Sequence, residues 1–209
     1  MHSINDITNQ AETPYAFAQA ATTPADIAQA KRILQKVYKH LSEFVNIEMR
    51  PSSVSFIHKN RKSCRIIFYD LDKLFARKDL FMVIFYAAKR ENLPEKSNEN
   101  FFETDWKIAM SMLGTNDILC YASQELADGN WFNIVLFTKE ADKHAVTGSE
   151  THHHAAYELA PERFAWIRLH NAQLPGGILE HKSIVMKKTK YYNFDDHWFA
   201  VREYAAPAK

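Results

Sequence analysis

The chain has 209 residues, 46% hydrophobic and 24% charged, with 26 Lys+Arg against 25 Asp+Glu and a formal net charge of +1. That apolar content, with only 5 Gly and 7 Pro, excludes a disordered or low-complexity chain. The charge balance gives no whole-chain field for nucleic acid or an anionic membrane, so neither is expected as a partner.

The length suits one large domain or two small ones. Residues 1–22 are polar and Ala-rich and lack a basic region followed by an apolar one. They are expected to form a flexible tail, with a single α+β domain over 23–209. Cys64 and Cys120 lie far apart inside apolar runs, the pattern of buried free thiols. The longest strongly apolar run, Leu80 to Ala88, is well short of the about 20 residues a membrane helix needs. A soluble cytoplasmic protein is expected.

Thr23-Pro24 opens the clearest helix, with Thr23 as N-cap, Pro24 at the first helical position and Asp26 in the first turn. Ile27, Ala30, Leu34, Val37, Leu41 and Phe44 recur at helical spacing to about Asn46. Val54–His58 and Cys64–Tyr69 read as a hairpin with a basic tip. Leu80–Ala88 is apolar at both parities, as in a strand buried on both faces. The polar stretch 92–100 reads as a loop. Phe101–Leu113 is helical, with Phe102, Trp106, Ala109 and Leu113 on one face and Gly114 as the stop.

Ile118–Leu126 and Trp131–Thr138 flank Asp128-Gly129, a strong hairpin signal. A polar connector leads to a short helix over Glu150–Leu159. Pro161 separates that helix from a strand over Phe164–Asn171. Pro175-Gly176-Gly177 is a turn, and Ser183–Tyr192 and His197–Tyr204 are two more strands. From Leu80 to Asn171 the order is β, α, β, β, α, β. An antiparallel sheet with helices on one face explains it.

This stretch resembles the dimeric α+β barrel superfamily, ferredoxin-like domains that include antibiotic-biosynthesis and haem-degrading monooxygenases. The residues that carry the resemblance are Phe81–Tyr86 as first strand, Trp106 on the first helix and the strand Trp131–Phe137 after Asp128-Gly129. The His-bearing segment Thr151–Ala156 and the closing strand Phe164–His170 complete it. It covers just under half of the chain, and the flanks could supply a second ferredoxin-like half. The resemblance implies a small apolar or aromatic ligand between sheet and helices, a homodimer, and an oxidoreductase of the cofactor-independent monooxygenase type. In haem-degrading members a helix His is the axial ligand, with an Asn on the first strand and a Trp on the third. Here Trp131 is present, but Phe81–Ala88 holds no Asn.

The residues themselves offer three candidate groups. His152, His153 and His154 are consecutive, so on a helix they point about 100° apart and cannot all ligate one ion. His153 or His154 is the candidate general base or ligand anchor, and Tyr157 shares a face with His153. On the strand from Phe164, Trp166, Arg168 and His170 share one face, suited to stacking, anion contact and proton transfer. Trp131 and Asn133 share a face of their strand, and a buried Asn needs partners. No cofactor is expected, with haem bound through a helix His as the alternative. A third reading is a non-enzymatic module for dimerisation or ligand binding. Lys188 and Lys190 share a strand face, read as solvent-facing or as an edge protected by Lys. No GxGxxG, P-loop or GxSxG motif occurs.

Overall fold

A computed structural model describes residues 5–6, 13–47, 53–58, 64–115, 117–148, 150–180 and 183–205. The strands are β1 (Asn5–Asp6), β2 (Val54–His58), β3 (Cys64–Phe68), β4 (Asp79–Lys89) and β5 (Ile118–Glu125). They continue with β6 (Trp131–Phe137), β7 (Phe164–Pro175), β8 (Val185–Asn193) and β9 (Trp198–Glu203). The helices are α1 (Thr23–Ser42), α2 (Leu71–Ala76), α3 (Glu95–Ser111) and α4 (His144–Thr147). The last three are α5 (Glu150–His154), α6 (Ala160–Arg163) and α7 (Gly177–Glu180).

One sheet holds all the strands among the described residues, in the order β1-β9-β8-β7-β4-β6-β5-β3-β2. Every neighbouring pair is antiparallel except β1 with β9. Within it, β7-β4-β6-β5 come from the βαββαβ stretch. The sheet is open, so the described residues close no barrel within the chain. The flanking strands extend this one sheet on both sides instead of forming a second layer.

Helices cover both faces of the sheet, where one face was expected. Side chains of a strand alternate between faces, and directly opposite residues of paired strands share a face. On one face Leu80, Met82 and Ile84 of β4 pack beneath Ala30, Leu34, Val37 and Leu41 of α1, joined by Leu71 and Leu74 of α2 and Ile178 of α7. On the other, Ala109 of α3 and Met112 at its C-cap cover Phe81, Tyr121 and Phe137, and Ala160 of α6 packs with Trp131, Phe164 and Ile167. The α1 stripe was legible as amphipathic. The face it would cover was not, because a stripe records only that something apolar lies beneath it.

Several local departures have physical causes. Thr23 is the first helical residue, not the cap, and its hydroxyl meets the Tyr204 hydroxyl at 3.0 Å. Within residues 13–22, Ala16–Ala18 and Ala20–Thr22 form two 3-10 turns, and Phe17 stacks on Trp166 at 4.9 Å; this part of the expected tail is packed. Apart from 5–6, the rest of it lies outside the described residues, as does the hairpin tip at 59–63. α2 has no counterpart among the expected elements; Asp70 caps it by accepting from the Lys73 amide at 2.9 Å. α3 begins at Glu95, inside the expected loop, with Pro94 at the N-cap position. Pro161 is the second residue of α6. A π turn over Ala155–Leu159 links α5 to α6, so the helical run passes Pro161. Cys64 and Cys120 are buried free thiols, as expected. Among the described residues no helix is long and apolar enough to cross a membrane.

Candidate functional site

The sheet divides the sequence-derived candidates into groups that cannot meet. Arg168 is paired with Tyr86 and His170 with Ile84, so Trp166, Arg168 and His170 face α1. Trp131 is paired with Ala87 and Asn133 with Phe85, so these two face α3. The sheet lies between the groups, and they do not form one site. A period of two specifies which residues of one strand share a face; it says nothing about which face two separate strands present together.

On the α1 face, Arg168 donates to Asp26 from Nε (2.6 Å to Oδ2) and Nη2 (2.7 Å to Oδ1), and from Nη1 to the Phe17 carbonyl (3.0 Å). Its guanidinium sits 4.5 Å from the ring centroids of both Tyr86 and Trp166. His170 Nε2 lies 2.9 Å from Asp26 Oδ2 and Nδ1 lies 2.7 Å from Thr189 Oγ1. The carboxylate must accept, so Nε2 carries the proton and Nδ1 accepts from Thr189. Thr189 meets the Tyr204 hydroxyl at 3.1 Å, which in turn meets Thr23. Burial pushes the His170 pKa down against the pull of Asp26.

Carboxylate, imidazole and hydroxyl in series resemble an acyl-transfer triad. His170 and Thr189 are nevertheless 0% exposed and Asp26 only 2%, so no substrate reaches them. The arrangement is a latch between α1 and the sheet, reinforced where buried Arg202 donates to the Ala18 carbonyl at 3.1 Å. Alternation along β7 leaves open whether Arg168 meets a ligand or a carboxylate from a neighbouring strand. The carboxylate comes from α1 instead. Asp26 lies four residues before Ala30 on the apolar stripe, and an acid on such a stripe is the signal that could have found it.

A second buried carboxylate lies on the other face. Asp105 of α3 accepts from the Tyr121 hydroxyl and Arg65 Nη1, and from Ser123 Oγ at 3.4 Å. Burial pushes its pKa up against those three donors. Asp105 also falls on an apolar stripe, between Phe102 and Ala109.

His153 and His154 are exposed. The His153 ring lies tilted against Tyr157 with centroids 4.5 Å apart, and His154 Nδ1 lies 2.9 Å from Glu158 Oε2. Tyr157 is 70% exposed. These three residues stand on the outward side of the helical run, so the expected base and ligand contact do not face the sheet. His152 is the half-buried member of the triplet, its pKa lowered by burial and then by His153. Among the described residues no cluster of His, Cys, Asp and Glu could hold a metal.

What remains open is the middle of the sheet on the α3 face. Leu80, Met82 and Ile84 on the α1 face of β4 are 2%, 0% and 0% exposed. On the opposite face of the same strand, Val83 and Phe85 are only half-buried. Their neighbours Asn133 on β6 and Leu169 on β7 are half-buried too. Val83 packs at the edge of the cluster under α3, and Phe85 and Leu169 at the edge of the cluster around Trp131. The two clusters thus leave a gap over the central strand, floored by Val83, Phe85, Asn133 and Leu169. Trp131 lies two residues from Asn133, 2% exposed, and its indole N–H has no hydrogen-bond partner among the described residues. Sequence reasoning singled out Trp131 and Asn133. It missed Phe85 and Leu169, which look like ordinary core in a strand apolar at both parities. No known protein family, no curated protein and no solved structure matches the chain.

Proposed function

We propose that the chain binds a small apolar or aromatic molecule in the gap over β4, on a ferredoxin-like unit made of β4, α3, β5, β6, the α5–α6 run and β7. The spatial order β7-β4-β6-β5, antiparallel throughout and with α3 and α6 on one face, supports the ferredoxin-like reading. The observation that carries the binding reading is the asymmetry of the middle of β4, where Met82 and Ile84 are sealed on one face while Val83 and Phe85 are half-open on the other. An interior strand of a wide sheet leaves apolar side chains reachable only where the covering helices part. Asn133 in that floor supplies one polar contact to orient a ligand, the usual composition of a small-molecule site.

A dimeric barrel is not part of this proposal. The sheet face that would line such a barrel carries α1, whose Leu34 and Leu41 are 0% exposed. Nor is turnover through His153 or His154, which are engaged with Tyr157 and Glu158 on the outward side. Haem is not part of it either: His153 and His154 stand on the outward side, and Phe81–Ala88 holds no Asn.

The test is titration with phenylnaphthylamine, a neutral aromatic probe whose fluorescence rises in apolar surroundings. Saturable one-to-one binding is expected, weakened by about tenfold in Phe85→Ser through lost apolar contact. Absence of saturable binding to the intact chain, or full retention in Phe85→Ser, would overturn the proposal.

A further inference from the structure

β8 lies inside the sheet, between β7 and β9. Edge protection therefore cannot explain its lysines. Thr189 points to the α1 face, where it meets His170. Lys190, the next residue, therefore points to the α3 face. There it is paired with Leu169, and Leu169 is paired with Phe85. Lys190 thus stands two strand spacings, roughly 10 Å, from the centre of the gap. Its side chain is half-buried, and among the described residues no carboxylate pairs with it.

The charged groups that act on Lys190 are cations. Burial lowers the pKa of Lys190, and Lys188 and Lys143 lower it further. Lys143 also lies 5.5 Å from the Phe81 ring, on the same side of the sheet. Two acids stand close by without reaching Lys190. Glu140 is taken by Lys143 at 2.7 Å, and Glu203 lies opposite Lys188 in register. A half-buried ammonium among like charges is unfavourable by itself, and an anion is what relieves it.

We propose that the ligand of this gap is an amphipathic organic anion, its apolar part over Phe85 and Leu169 and its carboxylate or equivalent acid group on Lys190, with Lys188 beside it. This rests on the binding site proposed above and adds the charge of the ligand. Asn133 on the other side of Phe85 then orients the opposite end of the molecule.

A matched pair of probes separates the two readings. Anilinonaphthalene sulfonate has the skeleton of phenylnaphthylamine plus one anionic group. The intact chain is expected to bind the sulfonate more tightly than the neutral probe, with that preference falling as KCl is raised. Lys190→Met should weaken the sulfonate by about tenfold and leave the neutral probe unchanged. Lys190→Arg should restore sulfonate binding, and Lys107→Met, on the exposed side of α3, should alter neither. Circular dichroism checks that each variant is folded. Binding of the neutral probe with no preference for the sulfonate, or equal effects of Lys190→Met on both, would sink the anion proposal and leave the binding site standing. Failure of both probes would overturn the site and the proposal together.

Discussion

Asp26 in the first turn of α1 and Arg168 in β7 form a two-point fork, at 2.6 and 2.7 Å, with both side chains almost wholly buried. Removing one partner leaves the other charge buried and uncompensated. Asp26→Asn should therefore cost about 3–5 kcal/mol, read from urea unfolding. The double variant Asp26→Leu with Arg168→Met should cost less than the two single changes added together, because neither charge is then stranded. A loss under about 1 kcal/mol in Asp26→Asn would mean that the latch does not hold α1.

The same latch predicts a pH dependence. The folded pKa of His170 is depressed, chiefly by burial. The unfolded chain then binds a proton that the folded one refuses, so stability is intact above the unfolded value, about 6.5, and falls as pH drops below it through the folded value. Asp105 works in the opposite sense. Its folded pKa is raised, so its contribution is full below about 3.8 and is lost as pH rises through the folded value. His152 shifts the same way as His170 and is unchanged in a His170→Asn variant. That variant should lose part of the acid-limb slope in urea midpoints measured between pH 7 and 5. An unchanged slope would show that His170 is not the buried neutral group.

Two glycines with positive φ should respond differently to alanine. Gly177, at φ 65°, would place a Cβ 2.1 Å from the Arg77 carbonyl oxygen, where α7 begins against the end of α2. Gly129, at φ 81°, would meet only Lys89 Cδ at 3.6 Å. Gly129→Ala should cost about 1 kcal/mol from backbone conformation alone. Gly177→Ala carries that strain plus a backbone clash and should cost at least about 3 kcal/mol. Thermal midpoints rank the two, and a reversed order would contradict the packing at Arg77.

Trp131 packs edge-on against Phe101 and Phe102, with centroids 5.0 and 5.6 Å away, while its N–H stays without a partner. Trp131→Phe removes a buried unsatisfied donor as well as volume, so the two effects offset and the net cost should stay below about 1.5 kcal/mol. Phe132, next in sequence and 0% exposed on the other face, offers no such offset. Phe132→Ala should cost about 3–5 kcal/mol. Equal costs would point to an unseen partner for the indole.

Much of the chain's local structure was legible in its amino-acid order. Helical spacing marked α1 and the body of α3, and β-prone runs bounded by turn and loop signals marked strands β2 to β9, because local patterning follows from which sides of an element are buried. Asp128-Gly129 marked its hairpin for a backbone reason, the positive φ of Gly129. The α2 helix escaped because six residues give too short a pattern.

Partnership across the sheet could not be read in this way. Trp166, Arg168 and His170 did share one face, as their alternation required. That the face would be sealed by Asp26, 142 residues away from Arg168 in sequence, was decided by the docking of α1. Trp131 and Asn133 were placed on the opposite face by the pairing of β6 with β4. The balanced net charge likewise concealed Lys190, because a whole-chain sum cannot show a cation held apart from acids in a half-covered floor. Spacing along the chain thus determined what each element buries. Only the tertiary structure decided which element it buries it against, because that depends on contacts between residues distant in sequence.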